Sequence, residues 1–456
     1  MTIAEQLANF AVRSSYEDLS KPAREQLKIR TLDSLACAIA ALDGGPPRLV
    51  RRQVAEFGGA ALCSLIGGGK TAPDRAAFYN GALVRYLDFN DSYLAKGETC
   101  HPSDNVAPVL AAAEYAARTG RQFLAALAVA YQVQCRLSDV APVRDKGFDH
   151  TTQGSYAVAA GVSRALGLDP VRTANAIAIS GTAFNALRVS RTGALSHWKG
   201  LAYPMTAFGG TSAAFLAMRG VTGPLEVFEG NKGFMDTIAG RFVIDWAQED
   251  LETVRRTILK KYNAEIHSQS AIEGLLQLKA EPGFQPDEIE RIELDTFDVA
   301  YKIIGGGEEG DKHIVRTKEE ADHSLPYLLA VAALDGEVMP RQYAPERICR
   351  EDVQKLLRRV TVHPREELSR RFPAEMPCRI RVALQGGRVL VKEKSDYEGF
   401  LTRPTSWDGA VSKFDRLTGP HASRFPRTAI IDAVARLDSI RIPELMRLLE
   451  GDMQDE

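Results

Sequence analysis

Residues 123–137 read FLAALAVAYQVQCRL. Small alanines are interleaved there with larger apolar side chains over about four helical turns, which lets a helix approach its neighbours closely and bury most of its surface. Residues 155–168 (SYAVAAGVSRALGL) and 173–187 (TANAIAISGTAFNAL) repeat the pattern. Helical signals of this kind run from the N-terminus to about residue 250 and predict a large helical domain, not a sheet with helices on its surface. Gly44-Gly45-Pro46-Pro47, Gly67-Gly68-Gly69 and Gly167-Leu168-Asp169-Pro170 break the runs as turns.

Past residue 265 the pattern changes. Residues 289–301 (IERIELDTFDVAY) alternate in places as a strand does, and 379–394 (RIRVAL-QGG-RVLVKEK) is two alternating β-rich runs joined by a glycine turn, a hairpin. Residues 324–336 (SLPYLLAVAALDG) and 351–360 (EDVQKLLRRV) read as helices between them. From Ser406 the helical signals return in WDGAVSKFDRL, AIIDAVARL and IPELMRLL. A tail that short cannot form its own core, so it is expected to pack back on the first domain. The chain therefore reads as mainly α with an inserted α+β domain: residues 1–265 and 401–456 in the large helical domain, 266–400 in the smaller one. The acidic end GDMQDE is expected to fray.

The 456 residues suffice for two or three domains with a large core. A hydrophobic content of 45% and a charged content of 25% fit an ordinary globular protein. The formal charge of -2 argues against a nucleic-acid partner, because binding phosphates needs a basic excess. The start, MTIAEQLANFAVRSS, lacks the basic and apolar regions of a signal peptide, and no apolar run reaches the roughly 18 residues of a membrane span. Cys37, Cys63, Cys100, Cys135, Cys349 and Cys378 show no CxxC spacing, the pattern of reduced cytoplasmic thiols, with no ready metal-ligand set. GxSxG, HExxH and strand-linked GxGxxG motifs are absent, and GGGKT at 67–71 has Ser64 where a phosphate-binding loop needs glycine.

Between two helical runs, GALVRYL and VAPVLAAAEYAA, residues 88–105 read DFNDSYLAKGETCHPSDN. Leu83, Val84, Leu87 and Phe89 keep helical spacing up to Asp88, and the next helix is expected to begin at Ser103 or Asp104, whose side-chain oxygen would accept first-turn amides. Asp88, Asp91, Ser92, His101 and Asp104 thus share one loop anchored at both ends, where side chains sit at fixed positions. Two readings stand at this point: capping acids with a hydrogen-bonding histidine, or a catalytic loop.

Other segments carry further candidates. GFDHTTQGSY puts His150 at the start of a small-residue helix, with Asp149, Thr151 or Thr152 as its cap; such an N-terminus favours anions. SHWKGLAYPMTAFGG brings Lys199 into apolar surroundings, where an ammonium either meets an anion or snorkels to water. LKKYNAEIHSQSA supplies Lys260, Lys261 and His267, and ADHSLPY brings His323, Ser324 as a cap, and Tyr327.

The DFND to HPSDN loop, the DH before a small-residue helix, SHWK with its GPLEVFEG continuation, AEIHSQSA, HSLPY and the late KF together resemble, in order and spacing, the MmgE/PrpD family of 2-methylcitrate dehydratases, whose relatives include cis-aconitate decarboxylase and an iminodisuccinate epimerase. The loop's spacing and its HPSDN ending look more like the dehydratase branch. The resemblance implies a cytoplasmic homodimer without metal or organic cofactor, whose cleft uses Asp88, Ser92, His101, His150, Lys199, Lys260 or Lys261, and Tyr327. Asn263 stands where the family pattern has a proline, and Ser92 where a threonine is common; these departures bear on the substrate.

The implied substrate is a small polycarboxylate. Taking the proton α to a carboxylate of a citrate-like acid builds charge on that carboxylate, so cations must be aimed at it; Lys199, Lys260 and His150 suit this. Histidine, with an ordinary pKa of about 6.5, suits the proton transfer, with His101 as base or acid, oriented by Asp88. Which of His101 and His150 is base stays open here. Decarboxylation of cis-aconitate, epimerisation of an amino-diacid and non-catalytic polycarboxylate binding are the alternatives.

Overall fold

The structure, a computed structural model, describes residues 1–451; most of the expected frayed end, residues 452–456, lies outside the described residues. The chain is mainly helical and divides into two compact units.

The first unit gathers Met1–Ser190, Gly200–Thr257 and the stretch from Ser406. Its helices include Lys21–Ala40, Pro73–Tyr86, Val106–Tyr115, Gly120–Val140, Thr151–Leu166 and Pro170–Ala183. The alanine-rich pattern has the expected consequence at Gly161, where an added Cβ would lie 2.8 Å from the Ala130 Cβ and 3.1 Å from a Val109 methyl. Three helices therefore meet backbone-close at one point, and any larger residue there would force them apart. The C-terminal tail packs back on this unit. Gly120 donates its amide to the Ile440 carbonyl at 2.8 Å, Ile442 donates to the Arg118 carbonyl at 2.9 Å, and Lys413 pairs with the buried Asp33 at 2.7 Å.

The second unit comprises Arg191–Lys199 and Ile258–Thr405. Its four-stranded sheet runs Val360–Pro364, Ile289–Thr296, Cys378–Leu384, Val389–Lys394 in spatial order. The first two strands are parallel, with Ile292 opposite Val360, and the others antiparallel, with Leu294 opposite Ile380. The predicted hairpin is present, and Gly386 and Gly387 take φ of 81° and 82° in its turn, a conformation cheap only for glycine. Ile380, Val382 and Leu384 are buried, and Arg379 and Arg381 alternate with them at more exposed positions. The helix Gln269–Lys279 presses on the sheet at Gly274, whose added Cβ would sit 2.4 Å from an Ile380 methyl.

Among the described residues no helix is long and apolar enough to cross a membrane. The six cysteines are free thiols, and all except Cys349 are buried.

Candidate functional site

The helix Pro73–Tyr86 ends in a sharp turn at Asp88, a non-glycine residue held at φ 54°. The left-handed conformation costs an L-residue about 1–2 kcal/mol, so something must hold it. Arg85 does: its guanidinium lies 2.9 Å from the Asp88 carboxylate and donates to Asn90 Oδ1 at 3.1 Å, with Asp104 at 3.9 Å. Apart from the exposed tip at Lys96 and Gly97 and the half-buried Leu94 and Thr99, the loop sinks into the helical unit as a buried polar network. Asn90 donates to Ser103 Oγ (2.9 Å) and Asp104 Oδ1 (2.8 Å). Asp91 accepts from the Ser103 amide (3.0 Å) and the Tyr131 hydroxyl (2.8 Å), with Arg30 3.7 Å away.

This network corrects the expected helix start. Pro102–Asn105 form a 3₁₀ turn before the helix Val106–Tyr115; the residues at their N-caps, His101 and Asn105, make no side-chain cap, and the Ser103 amide goes to Asp91. The Ser103 and Asp104 side chains accept from Asn90 instead, because buried polar groups take the nearest complementary partner. Pro102 occupies the first position of that turn, where no amide donor is missed.

His101, 8% exposed, is oriented by the loop itself. Its Nδ1 lies 2.8 Å from the Asp91 carbonyl and 3.1 Å from Ser92 Oγ. A carbonyl can only accept, so Nδ1 carries the proton and Nε2 is the basic nitrogen of the neutral ring. The Asp91 backbone and Ser92 hold His101 Nδ1, and Arg85 pairs with Asp88.

His150, 1% exposed, opens the helix Thr151–Leu166. Asp149 accepts the Thr151 amide at 3.1 Å and lies 3.6 Å from His150 Nε2; it is the one of the three expected caps that bonds a first-turn amide. The His101 and His150 rings meet edge to face with centroids 5.3 Å apart, and the Tyr203 ring stacks beside His150 at 6.2 Å. Tyr203 donates to Asn105 Oδ1 at 2.9 Å, and Gly154 makes room for its ring, since an added Cβ would fall 2.5 Å from it. Two charged imidazoles at that separation would repel by about 3 kcal/mol at an effective dielectric of about 20.

Glu98 also belongs to this unit. Its Oε2 accepts the Val143 and Arg144 amides (3.1 and 3.0 Å). Burial pushes its carboxyl up to about 7, the Asp149 charge adds to the rise, and the two amides and Arg188 oppose it.

The smaller unit holds the second cluster. Lys199, 3% exposed, places Nζ 2.8 Å from Asp322 Oδ1 and 2.9 Å from His323 Nδ1; it is buried with an anion rather than snorkelling. Asp322 also meets Lys318 at 2.7 Å and His323 at 2.7 Å. Burial alone would raise the Asp322 carboxyl, but Lys199, Lys318 and His323 hold it far below the usual carboxylate range. Glu265 follows the same logic: burial raises it, His267, His323 and Lys260 outweigh that, and it settles at about 2. Its carboxylate bonds His267 Nδ1 at 2.7 Å.

Lys260 is 1% exposed, whereas Lys261 is partly exposed and pairs with Glu398 (2.5 Å) and Glu273 (3.7 Å), so the two adjacent lysines have different jobs. Ser324 accepts the Tyr327 amide at 3.1 Å as the expected cap. Tyr327 lies in the core with its hydroxyl donated to the Gln342 carbonyl, and burial raises its pKa. In the helical unit, then, His101, His150 and Ser92 come together, and in the smaller unit Lys199 joins His323. Arg85, Asp322 and Glu98 went unmarked in the sequence. Arg85 sits inside an apolar helical run and reads as a surface residue; Asp322 is 123 positions from its lysine.

Comparison with known proteins gives a consistent picture. A family model described as the MmgE/PrpD N-terminal domain matches residues 5–247, and one described as the MmgE/PrpD C-terminal domain matches residues 262–439. A cis-aconitate decarboxylase of Mus musculus is 26% identical over 84% of this chain and 80% of its own length. A 2-methylcitrate dehydratase of Salmonella typhimurium is 29% identical over 73% and 71%, and one of Cupriavidus necator 28% identical over 82% and 81%.

Proposed function

The chain belongs to the MmgE/PrpD family, and from that premise we propose that it is a lyase removing water from a citrate-like tricarboxylate, of the 2-methylcitrate type, by proton abstraction α to a carboxylate. The observation that carries the proposal is the buried His101–His150 pair with ring centroids 5.3 Å apart. Dehydration needs a base for a carbon-bound proton and an acid for the departing hydroxyl, and two imidazoles sharing one charge supply both. His101 is the base, because its Nδ1–H is committed to the Asp91 carbonyl and Nε2 carries the lone pair. His150 is the acid. Lys199 and Lys260 meet substrate carboxylates, where their charge opposes the negative charge that builds as the proton leaves. Ser92 aids substrate placement through His101, and Asp88 positions Arg85 and the loop. Tyr327 is set aside as a substrate contact because its hydroxyl proton is already donated.

A second reading has one observation in its favour: the mouse cis-aconitate decarboxylase matches over 84% of this chain. Decarboxylation also passes through a carbanion beside a carboxylate, formed there as carbon dioxide leaves its electron pair behind and then quenched by a proton. Incubation of the chain with 2-methylcitrate, citrate, cis-aconitate and iminodisuccinate in deuterated water, followed by NMR, separates the reactions. Loss of water with formation of an enoate is the expected result. Carbon dioxide loss would assign decarboxylation, and deuterium exchange without loss would assign epimerisation. Ligand-dependent thermal stabilisation without turnover of any substrate would overturn the enzyme reading.

A further inference from the structure

Away from the groups assigned above, the helical unit holds a cavity of about 380 Å³ lined by Tyr156, Gly181, Thr182, Asn185 and the segment from Pro224 to Ile238. None of its lining residues has a part in the proton transfer or anion binding proposed above.

Two features single it out. Tyr156 is fully buried, stacks on Phe228 at 4.5 Å and packs beside Phe234 at 5.3 Å, yet among the described residues its hydroxyl has no hydrogen-bond partner. The hydroxyl end of the ring lies against Gly181 on the cavity wall, where an added Cβ would come within 2.1 Å of Tyr156 Cε1 and 2.6 Å of Cζ. The second feature is Asn185 Oδ1, a buried acceptor that is also unpartnered among the described residues, although the amide nitrogen of the same side chain donates to the Gly181 carbonyl at 3.0 Å. Buried polar atoms in native proteins are almost always bonded, so an unmet donor and an unmet acceptor on one cavity ask for a ligand with the complementary pair.

Charge narrows the class. Lys232 and Glu226, both exposed, line the same cavity, and neither side chain is in an ion pair among the described residues. Lys232 is held at φ 60°, with its amide donated to Asp236 at 3.3 Å. One cation and one anion leave the site neutral, so it matches a zwitterion better than a polycarboxylate. Val227, Phe234 and Ile238 add an apolar wall.

We propose that this cavity is a second, non-catalytic site for a free α-amino acid with an apolar side chain, its carboxylate on Tyr156 Oη and Lys232 and its ammonium on Asn185 Oδ1 and Glu226. The proposal does not rest on the assigned reaction. Its test is calorimetric titration and thermal shift of the full chain with L-leucine, L-methionine and L-phenylalanine. 4-Methylpentanoate and isoamylamine, which keep leucine's chain and lose one charge each, are the controls. At least one amino acid is expected to bind and to raise the melting temperature at about 10 mM, with both controls at least about tenfold weaker. Tyr156→Phe removes only the hydroxyl and is expected to weaken binding about tenfold or more. Lys232→Ala, at an exposed position, is expected to weaken it as well, with turnover unchanged in both variants. No binding by any of the three, binding of the controls as tight as leucine, or binding indifferent to both substitutions would overturn the site.

Discussion

The two clusters of ionisable side chains are built on opposite principles. His101 in the helical unit is held by neutral groups, the Asp91 carbonyl and the Ser92 hydroxyl, and its neighbour His150 is another imidazole. Lys199 in the smaller unit is held by a full charge, Asp322, itself met by Lys318 and His323. A neutral partner fixes a ring's direction and tautomer without locking its charge, so the proton stays transferable. A charged partner in a dry setting locks the charge, so the ammonium stays an ammonium and acts through its field. In the proposed reaction the first arrangement suits proton transfer and the second a fixed cation.

The largest effect should separate the two. His101→Ala is expected to lower kcat by about 10²- to 10⁴-fold with little change in KM, the cost of removing a general base. Steady-state kinetics on the substrate identified by NMR would check this, and a change confined to KM would dissolve the contrast. Lys199→Ala leaves Asp322 buried with one cation fewer, and breaking buried pairs costs about 3–5 kcal/mol; with Lys318 and His323 still in place the loss should fall toward the lower end. Urea denaturation measures it, and the KM for polycarboxylate should rise. Lys199→Arg should recover part of the stability but place its charge differently.

Glu98 sharpens the contrast through pH. Its folded-state pKa, about 7, lies above the ordinary 4.5, so its protonated form contributes stability that is fully present below about pH 4.5 and lost as pH rises through 7. Glu98→Gln should stabilise the protein at pH 8 by up to about 3 kcal/mol and little at pH 4.5, a difference read from melting curves at the two pH values. The smallest effect belongs to Lys261, partly exposed and paired with Glu398. Lys261→Ala should cost at most about 1 kcal/mol and leave KM unchanged, in contrast with the buried Lys260, whose replacement by alanine should raise KM.

Much of this was legible in the sequence, for reasons that differ by element. The alanine-rich helices showed because their packing is periodic along the chain, and Gly161 lies where three of them meet. The hairpin showed because alternation and a glycine turn are local. The loop from Asp88 to Asn105 showed as a cluster of chemistry between two helices. What it hid was pairing. Nothing local says that Arg85 turns inward to hold Asp88 in a left-handed turn, or that Asp104 accepts from Asn90 instead of capping a helix. The partner of Lys199 was equally hidden, since an ion pair across 123 positions leaves no periodic trace. The Asp91 carbonyl on His101 was hidden for a related reason: it is a backbone group, which every residue carries and no sequence marks.

Proton transfer by the imidazole pair is the central step of the proposed reaction, and solvent deuterium exchange at the substrate carbon reports that step apart from product formation. With the purified chain and 2-methylcitrate in deuterated water, NMR should show exchange or elimination at the carbon α to the carboxylate in the wild type. His101→Gln should abolish both, and His150→Gln should leave exchange while blocking loss of the hydroxyl. Undiminished exchange and turnover in both variants would contradict the assignment of acid and base to this pair.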